Sequence, residues 1–329
     1  MKREPELPAP CLEMSLELIY NNFSCICFSE VAVSKTNLAA IWFRQVRGPF
    51  LILSVVLTLI GIATAFWHGF GHLGHSLLLL VGVVCAHAAV NLFNEISDFK
   101  SAIDEHTVRT PFSGGSGMLP SGQTTVTRVT WAAYLALSAA GFIGLYFCLT
   151  RGWPILFFMI CGGVAARFYT SHLAKWMIGE LVSGLTLGSF VIIGTHYALS
   201  GFMTLDIIYI SIVPGILTAL LLFLNEFPDM EADRRGGRRH LVIFFGTKKS
   251  AGIYAAAVLL LFALIAAGPF VENIPYTVLI ALAILPLGIF ATADVFKYHD
   301  NPPRLIRAQG LNVAMVILTD LLLAVAYFL

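Results

Sequence analysis

In a chain with few charges, carboxylates gather at two places. AHAAVNLFNEISDFKSAID closes one apolar stretch and LLFLNEFPDMEADRRGGRR closes another. Aligned on asparagine, both read N-E-x-x-D: Asn94-Glu95-x-x-Asp98 and Asn225-Glu226-x-x-Asp229. A further acid follows each, Asp104 in the first and Asp233 in the second. On a helix, residues four apart share a face at about 6 Å per step. Asn94 and Asp98 therefore form one such pair, and Asn225, Asp229 and Asp233 form a column. His87 and Asn91 extend the first column back into the apolar stretch. Two facing sets of carboxylates repel unless cations lie between them. Carboxylates, amide oxygens and water are the hard ligands that suit Mg²⁺, which is commonly shared with substrate phosphates. Asp98, Asp104, Asp229, Asp233, Asn94 and Asn225 are the candidate ligands, and the chemistry indicated is binding and ionisation of a diphosphate. The competing reading, solvated helix caps, suits a single cluster better than two matched clusters on one face.

The elements that carry these residues are set by composition. Of 329 residues, 58% are hydrophobic and 12% charged, with a mean hydropathy of +0.83; a soluble domain carries about 25% charged residues. The formal net charge of +1 offers no field for a polyanion, so nucleic acid is excluded as a partner. Nine continuous apolar segments, 49–67, 76–96, 129–150, 153–171, 180–200, 205–225, 251–271, 276–296 and 308–328, are long enough for membrane helices and lack the alternation of a barrel strand. Nineteen of the twenty Lys and Arg residues fall in the N-terminal arm and in alternate connections; only Arg151 falls on the other side. That asymmetry predicts a multi-pass protein of the cytoplasmic membrane, with its N-terminus and both acidic motifs on the cytoplasmic side. The motifs are four segments apart, so the expected architecture is all-α: nine helices in one bundle around a central cavity, built as two parallel four-helix repeats plus a final helix. Residues 1–36, with Glu4, Glu6, Glu13 and Glu17, read as a poorly structured arm rather than a secretory signal. The membrane domain spans 37–329, entered through a short amphipathic interfacial helix at 37–48.

At the acidic motifs the chain resembles the UbiA superfamily of intramembrane prenyltransferases, over about residues 40–328. The second motif matches that family's N-x-x-x-D-x-x-x-D-x-x-x-G-[KR]-R-T-L pattern at Asn225, Asp229, Asp233, Gly237, Arg238, Arg239 and Leu241, with His240 in place of threonine. The five residues between Asp98 and Asp104 resemble the 1,4-dihydroxy-2-naphthoate branch, with Glu95 for a common Asp and Ala102 for a common Gly. ARFYTSHLAKWMIGEL is similar to another family segment at Tyr169, Thr170, Gly179 and Glu180, without its proline. The resemblance implies a nine-helix fold with a cytosolic cap. It also implies Mg²⁺-dependent transfer of a polyprenyl group from a polyprenyl diphosphate to an aromatic acceptor within the membrane lipid. On the naphthoate branch this is a step of menaquinone biosynthesis. Asp98, Asp104, Asp229 and Asp233 then act at the reacting diphosphate, with Asn94, Asn225, Arg109, Lys175, Arg238 and Arg239 as its further contacts. Tyr169 and Lys175, on the same side, approach the same cavity. A hydroxybenzoate-type or lipid-forming prenyltransferase is the alternative within the family. A secondary transporter is the alternative of another class, since transporters also carry repeats and intramembrane acids.

Other features carry less. Arg109-Thr-Pro-Phe-Ser-Gly-Gly-Ser-Gly117 lets backbone N–H groups approach an anion, or is a plain flexible connection. His68, His72 and His75 read as a solvated loop on the side away from the acids. Asp294, in the last turn of the eighth segment, either caps that interface or lines the cavity, and Asp320 lies deeper, at a depth where an acid usually has a partner or a role. The six cysteines form no framework.

Overall fold

The structure, a computed structural model, describes residues 37–101, 110–168 and 176–329. Among the described residues every regular element is helical, as hydrocarbon requires of a chain that must satisfy its own backbone. A short helix α1 (Leu38–Gln45) is capped by Asn37, whose side chain accepts from the Ala40 N–H at 3.2 Å. Among the described residues eight helices are long and apolar enough to cross a membrane: α2 (Gly48–Trp67), α3 (Leu73–Lys100), α4 (Val126–Arg151), α6 (Gly179–Ser200), α7 (Leu205–Arg235), α9 (Thr247–Phe270), α10 (Tyr276–Tyr298) and α11 (Ile306–Ala326). Between α4 and α6 lies the shorter apolar α5 (Pro154–Phe168), and after α7 the one-turn α8 (Leu241–Phe245). The protein is a multi-pass membrane protein.

The two helices that carry the acids are longer than their apolar segments. The sequence places the ends near 96 and 225; the structure continues them to Lys100 and Arg235. Glu, Lys, Arg and Ala are good helix formers, so the helix persists after the apolar residues stop. At 31 residues α7 is about 46 Å long, against about 30 Å of hydrocarbon. The helix therefore outruns its apolar segment, and its last turns carry Asp229 and Asp233.

What sets α7 in place is contact between backbones. Gly184 and Gly188 of α6 lie against Gly215 of α7: a Cβ on Gly184 would sit 2.6 Å from the Gly215 carbonyl oxygen, and one on Gly188 would sit 2.7 Å from the Gly215 Cα. Small residues four apart permit this approach in membranes, where helices gain no hydrophobic drive towards one another. The stretch Gly184–Ser189 is wound as a π-helix, and the Ser189 hydroxyl donates to the Ser211 carbonyl at 2.9 Å. Pro214 and Pro228 lie inside α7. Pro228, within the acidic motif, withholds an N–H from the helix ladder one residue before Asp229.

Candidate active site

Each motif reaches the site from the C-terminal end of its helix, α3 or α7. The two ends meet. Beyond α7 the chain turns at Gly237 (φ +77°) and returns Arg238 over the acids. The Arg238 guanidinium donates through Nη1 to Asp233 Oδ1 at 2.7 Å and through Nη2 to Asp98 Oδ1. One arginine thus joins the first motif to the second. The C-terminal ends of α3 and α7 therefore lie at one end of the bundle, as the parallel repeat expected. Asp229 lies within electrostatic reach of Asp233, Arg238, Arg47 and Asp98, and its Oδ1 is buried without a hydrogen-bond partner. Three carboxylates against two guanidinium groups, with one carboxylate oxygen unclaimed, form a donor set that fits a hard divalent ion.

The asparagines behave differently. Asn225 accepts from Gln309 Nε2 of α11 at 3.0 Å, which fixes its amide and leaves one lone pair of the oxygen for another partner. Asn94 lines a pocket of about 250 Å³ with Phe93, Ser97, Lys100, Tyr134 and Arg167. Arg167 stacks over the Phe93 ring at 5.5 Å. The Arg239 side chain is exposed, while its carbonyl accepts from Met177 N–H at 3.2 Å, so it stands outside the carboxylate cluster. Asp104, Arg109, Tyr169 and Lys175 lie outside the described residues.

The glycine-rich segment is pinned, which corrects the reading of a plain flexible connection. Glu95, only 2% exposed, accepts from the Ser116 N–H at 3.0 Å and also from the Ser116 hydroxyl. Thr110 Oγ1 accepts from the N–H groups of Phe112 and Ser113 at 3.1 and 2.9 Å. Phe112 is buried in the main core, and Leu119 packs with Leu92, Phe93 and Ile96 of α3. Gly114, Gly115 and Gly117 take positive φ, which lets the chain fold back beside the first motif.

Several site residues are absent from a reading of the motifs alone. Arg47 follows α1, adopts φ +53°, and acts on both Asp98 and Asp229. It is held there because Asn91 donates to the neighbouring Val46 carbonyl at 2.9 Å. His240 caps α8 and stands 3.5 Å from Asp233 Oδ2 and 3.4 Å from Glu226 Oε2. The one signal for Glu226 was its alignment with Glu95 in the repeat.

Towards the far side, α3, α4, α5 and α6 line an open cavity of about 470 Å³. Leu79, Val83, Val90, Leu137, Phe147, Phe158, Met159 and Phe190 make it apolar, and His87, bonded to Ser54 at 2.6 Å, lies on its wall. His87 precedes Asp98 by eleven residues, about 16 Å along the helix axis. Asp294 and Asp320 do not line this cavity. Asp294 pairs with Arg307 at 3.5 Å, and Asp320 is wholly buried in α11. At the opposite end His68 is bonded to the buried Asp206 at 2.8 Å and His75 to Tyr146 at 2.9 Å, so the histidine loop is engaged rather than merely solvated.

A helical membrane bundle with two acidic helix ends joined beside an apolar cavity defines an intramembrane prenyltransferase. The chain belongs to the UbiA prenyltransferase family, whose sequence profile matches residues 49–314. It is 24% identical over 299 residues to a 2-carboxy-1,4-naphthoquinone phytyltransferase of Synechocystis sp., covering 87% of this chain and 92% of that one. It is 28% identical over 235 residues to a 1,4-dihydroxy-2-naphthoate octaprenyltransferase of Bacillus subtilis, covering 69% and 73%. Its fold is similar to that of a UbiA homologue from Archaeoglobus fulgidus bound to DMAPP and Mg²⁺, with a TM-score of 0.59 at 17% identity, over 86% of this chain and 99% of that one. The transporter alternative is set aside by family membership.

Proposed function

We propose that the protein transfers a polyprenyl group from an allylic polyprenyl diphosphate to 1,4-dihydroxy-2-naphthoate, in a Mg²⁺-dependent reaction of menaquinone biosynthesis. The observation that carries this reading is the convergence of Asp98, Asp229 and Asp233 around Arg238. The naphthoate-acting relatives support the acceptor.

Asp98, Asp229 and Asp233, with Asn94, Asn225 and Asp104, would hold Mg²⁺, which supplies Lewis-acid charge to the leaving diphosphate. Arg238 and Arg47 bind diphosphate oxygens, with Arg109 and Arg239 as outer contacts. Glu95 fixes the glycine-rich segment so that its backbone faces the same anion. The apolar cavity holds the tail and keeps water from the allylic carbon as its C–O bond breaks. Tyr169 and Lys175 orient the acceptor, whose electron-rich ring carbon forms the new C–C bond. The acceptor's carboxylate then leaves as CO₂, returning its electron pair to the ring. The enzyme sits in the cell membrane with nine spans, α5 among them, its N-terminus and site on the cytoplasmic side. Residues 1–36 are an arm the reaction does not need.

The test is mass spectrometry of products from purified protein given Mg²⁺, geranylgeranyl or longer diphosphates, and a panel of aromatic acids. Prenylated naphthoquinol as the main product supports the reading. Diphosphate consumption without an aromatic product overturns it.

A further inference from the structure

Beside the aspartates lies a second group of ligand-bearing side chains that the transfer chemistry does not use. Glu180 comes from the first turn of α6, Glu226 from α7 and His240 from the cap of α8. All three are buried, and each offers a ligand atom within 4.8 Å of the other two. Glu180 Oε1 already accepts from the Leu241 N–H at 2.9 Å, and the Glu180 carboxyl lies within hydrogen-bond range of the Glu226 carboxyl. Glu226 is 7% exposed, and its Oε2 has no hydrogen-bond donor, although it is 3.4 Å from His240 Nδ1. His240 Nδ1 also accepts from the Ile243 N–H at 3.4 Å, a long contact that a stronger partner would displace.

We infer that Glu180, Glu226 and His240 form an accessory site for a divalent transition-metal ion of the zinc and manganese class, distinct from the Mg²⁺ held by the aspartates. Two carboxylates and one imidazole neutralise a dication within a poorly solvated bundle, and the imidazole favours such an ion over Mg²⁺. With Nδ1 on the ion, the His240 Nε2–H points to Asp233 Oδ2, 3.5 Å away. A carboxylate behind a metal-bound histidine fixes the ring and its tautomer. Here that carboxylate belongs to the second acidic motif, so the ion positions Asp233 through His240. The site ties α6, α7 and α8 together where α6 meets α7 through glycine backbones. It does not depend on which acceptor the enzyme uses.

The experiment is metal analysis of the full chain in detergent. Protein stripped with chelator is given Zn²⁺ in the presence of excess Mg²⁺, washed, and its zinc counted. One zinc per chain is expected in the wild type and in Asp98→Ala. His240→Thr retains a good helix cap but no imidazole, and is expected to hold no zinc. Glu180→Gln keeps an oxygen for Leu241 and is expected to bind at least ~10-fold more weakly. Visible Co²⁺ absorption should follow the same order. Wild-type protein that retains no zinc means that Glu180 and Glu226 share a proton instead, and overturns the site. Zinc retained by His240→Thr but lost from Asp98→Ala overturns it too, by assigning the ion to the aspartates.

Discussion

Arg238 donates to Asp98 across 140 residues of sequence while its other nitrogen holds Asp233. This bond is where the two halves of the chain become one site. Both acids and the arginine are largely shielded, so each group depends on the others for charge balance. Removing one partner of such a set costs about 3–5 kcal/mol.

Arg238→Ala should therefore lower thermal stability in detergent, and added Mg²⁺ should restore more of it than in the wild type, because the ion supplies the missing positive charge. Arg238→Lys should retain the charge but not the two-armed bridge, and should reduce kcat/KM at least ~10-fold. Melting curves with and without Mg²⁺ check the first part. An unchanged Mg²⁺ response in Arg238→Ala would show that the acids are balanced by other groups.

Asp229→Ala should reduce turnover by ~10²-fold or more, the usual scale for removing one electrostatic contact to a developing charge, while the helical content stays intact. Its unclaimed, buried Oδ1 is the reason. Chelator should abolish wild-type turnover, and Mg²⁺ or Mn²⁺ should restore it. Near-normal rates in either measurement would remove the metal–diphosphate mechanism.

Glu95→Ala should release Ser116 and loosen the glycine-rich segment. Amide hydrogen exchange over 110–119 should rise, and KM for the diphosphate should rise several-fold, with kcat less affected. Unchanged exchange across that segment would show that Phe112 and Leu119 hold it unaided.

Given 1,4-dihydroxy-2-naphthoate and 4-hydroxybenzoate at equal concentration, the enzyme should alkylate the bicyclic acid in preference, by about tenfold in kcat/KM. The second ring adds stacking and apolar area of ~1–2 kcal/mol. Predominant hydroxybenzoate product would move the enzyme to another branch of its family.

Eight of the nine apolar segments were legible as helices of membrane length, because lipid leaves an apolar segment one way to satisfy its backbone, while the segment expected at 153–171 gives the shorter α5 among the described residues. The acid columns were legible because helical spacing is fixed. Arg47 was not: as a charge it marked a membrane side, and only the turn after α1 and the Asn91 bond bring it to Asp98. Glu95 stood out as a departure from the family pattern, yet its use depends on Ser116, which a loop delivers. Arg239, adjacent to Arg238 in one motif, faces outward, because a turn sends neighbouring side chains in different directions. The packing of Gly184 and Gly188 on Gly215 needed the partner helix to give it meaning.

The length of α7 has a consequence for the direction of the reaction. On the proposed chemistry its acids stand just beyond the apolar layer while the cavity lies within it, so the bond breaks at a phase boundary. Diphosphate departs into water, where it is diluted, and the alkylated ring stays in oil. The two products are sorted into different solvents as they form, and the reverse encounter becomes rare without any further expenditure by the protein.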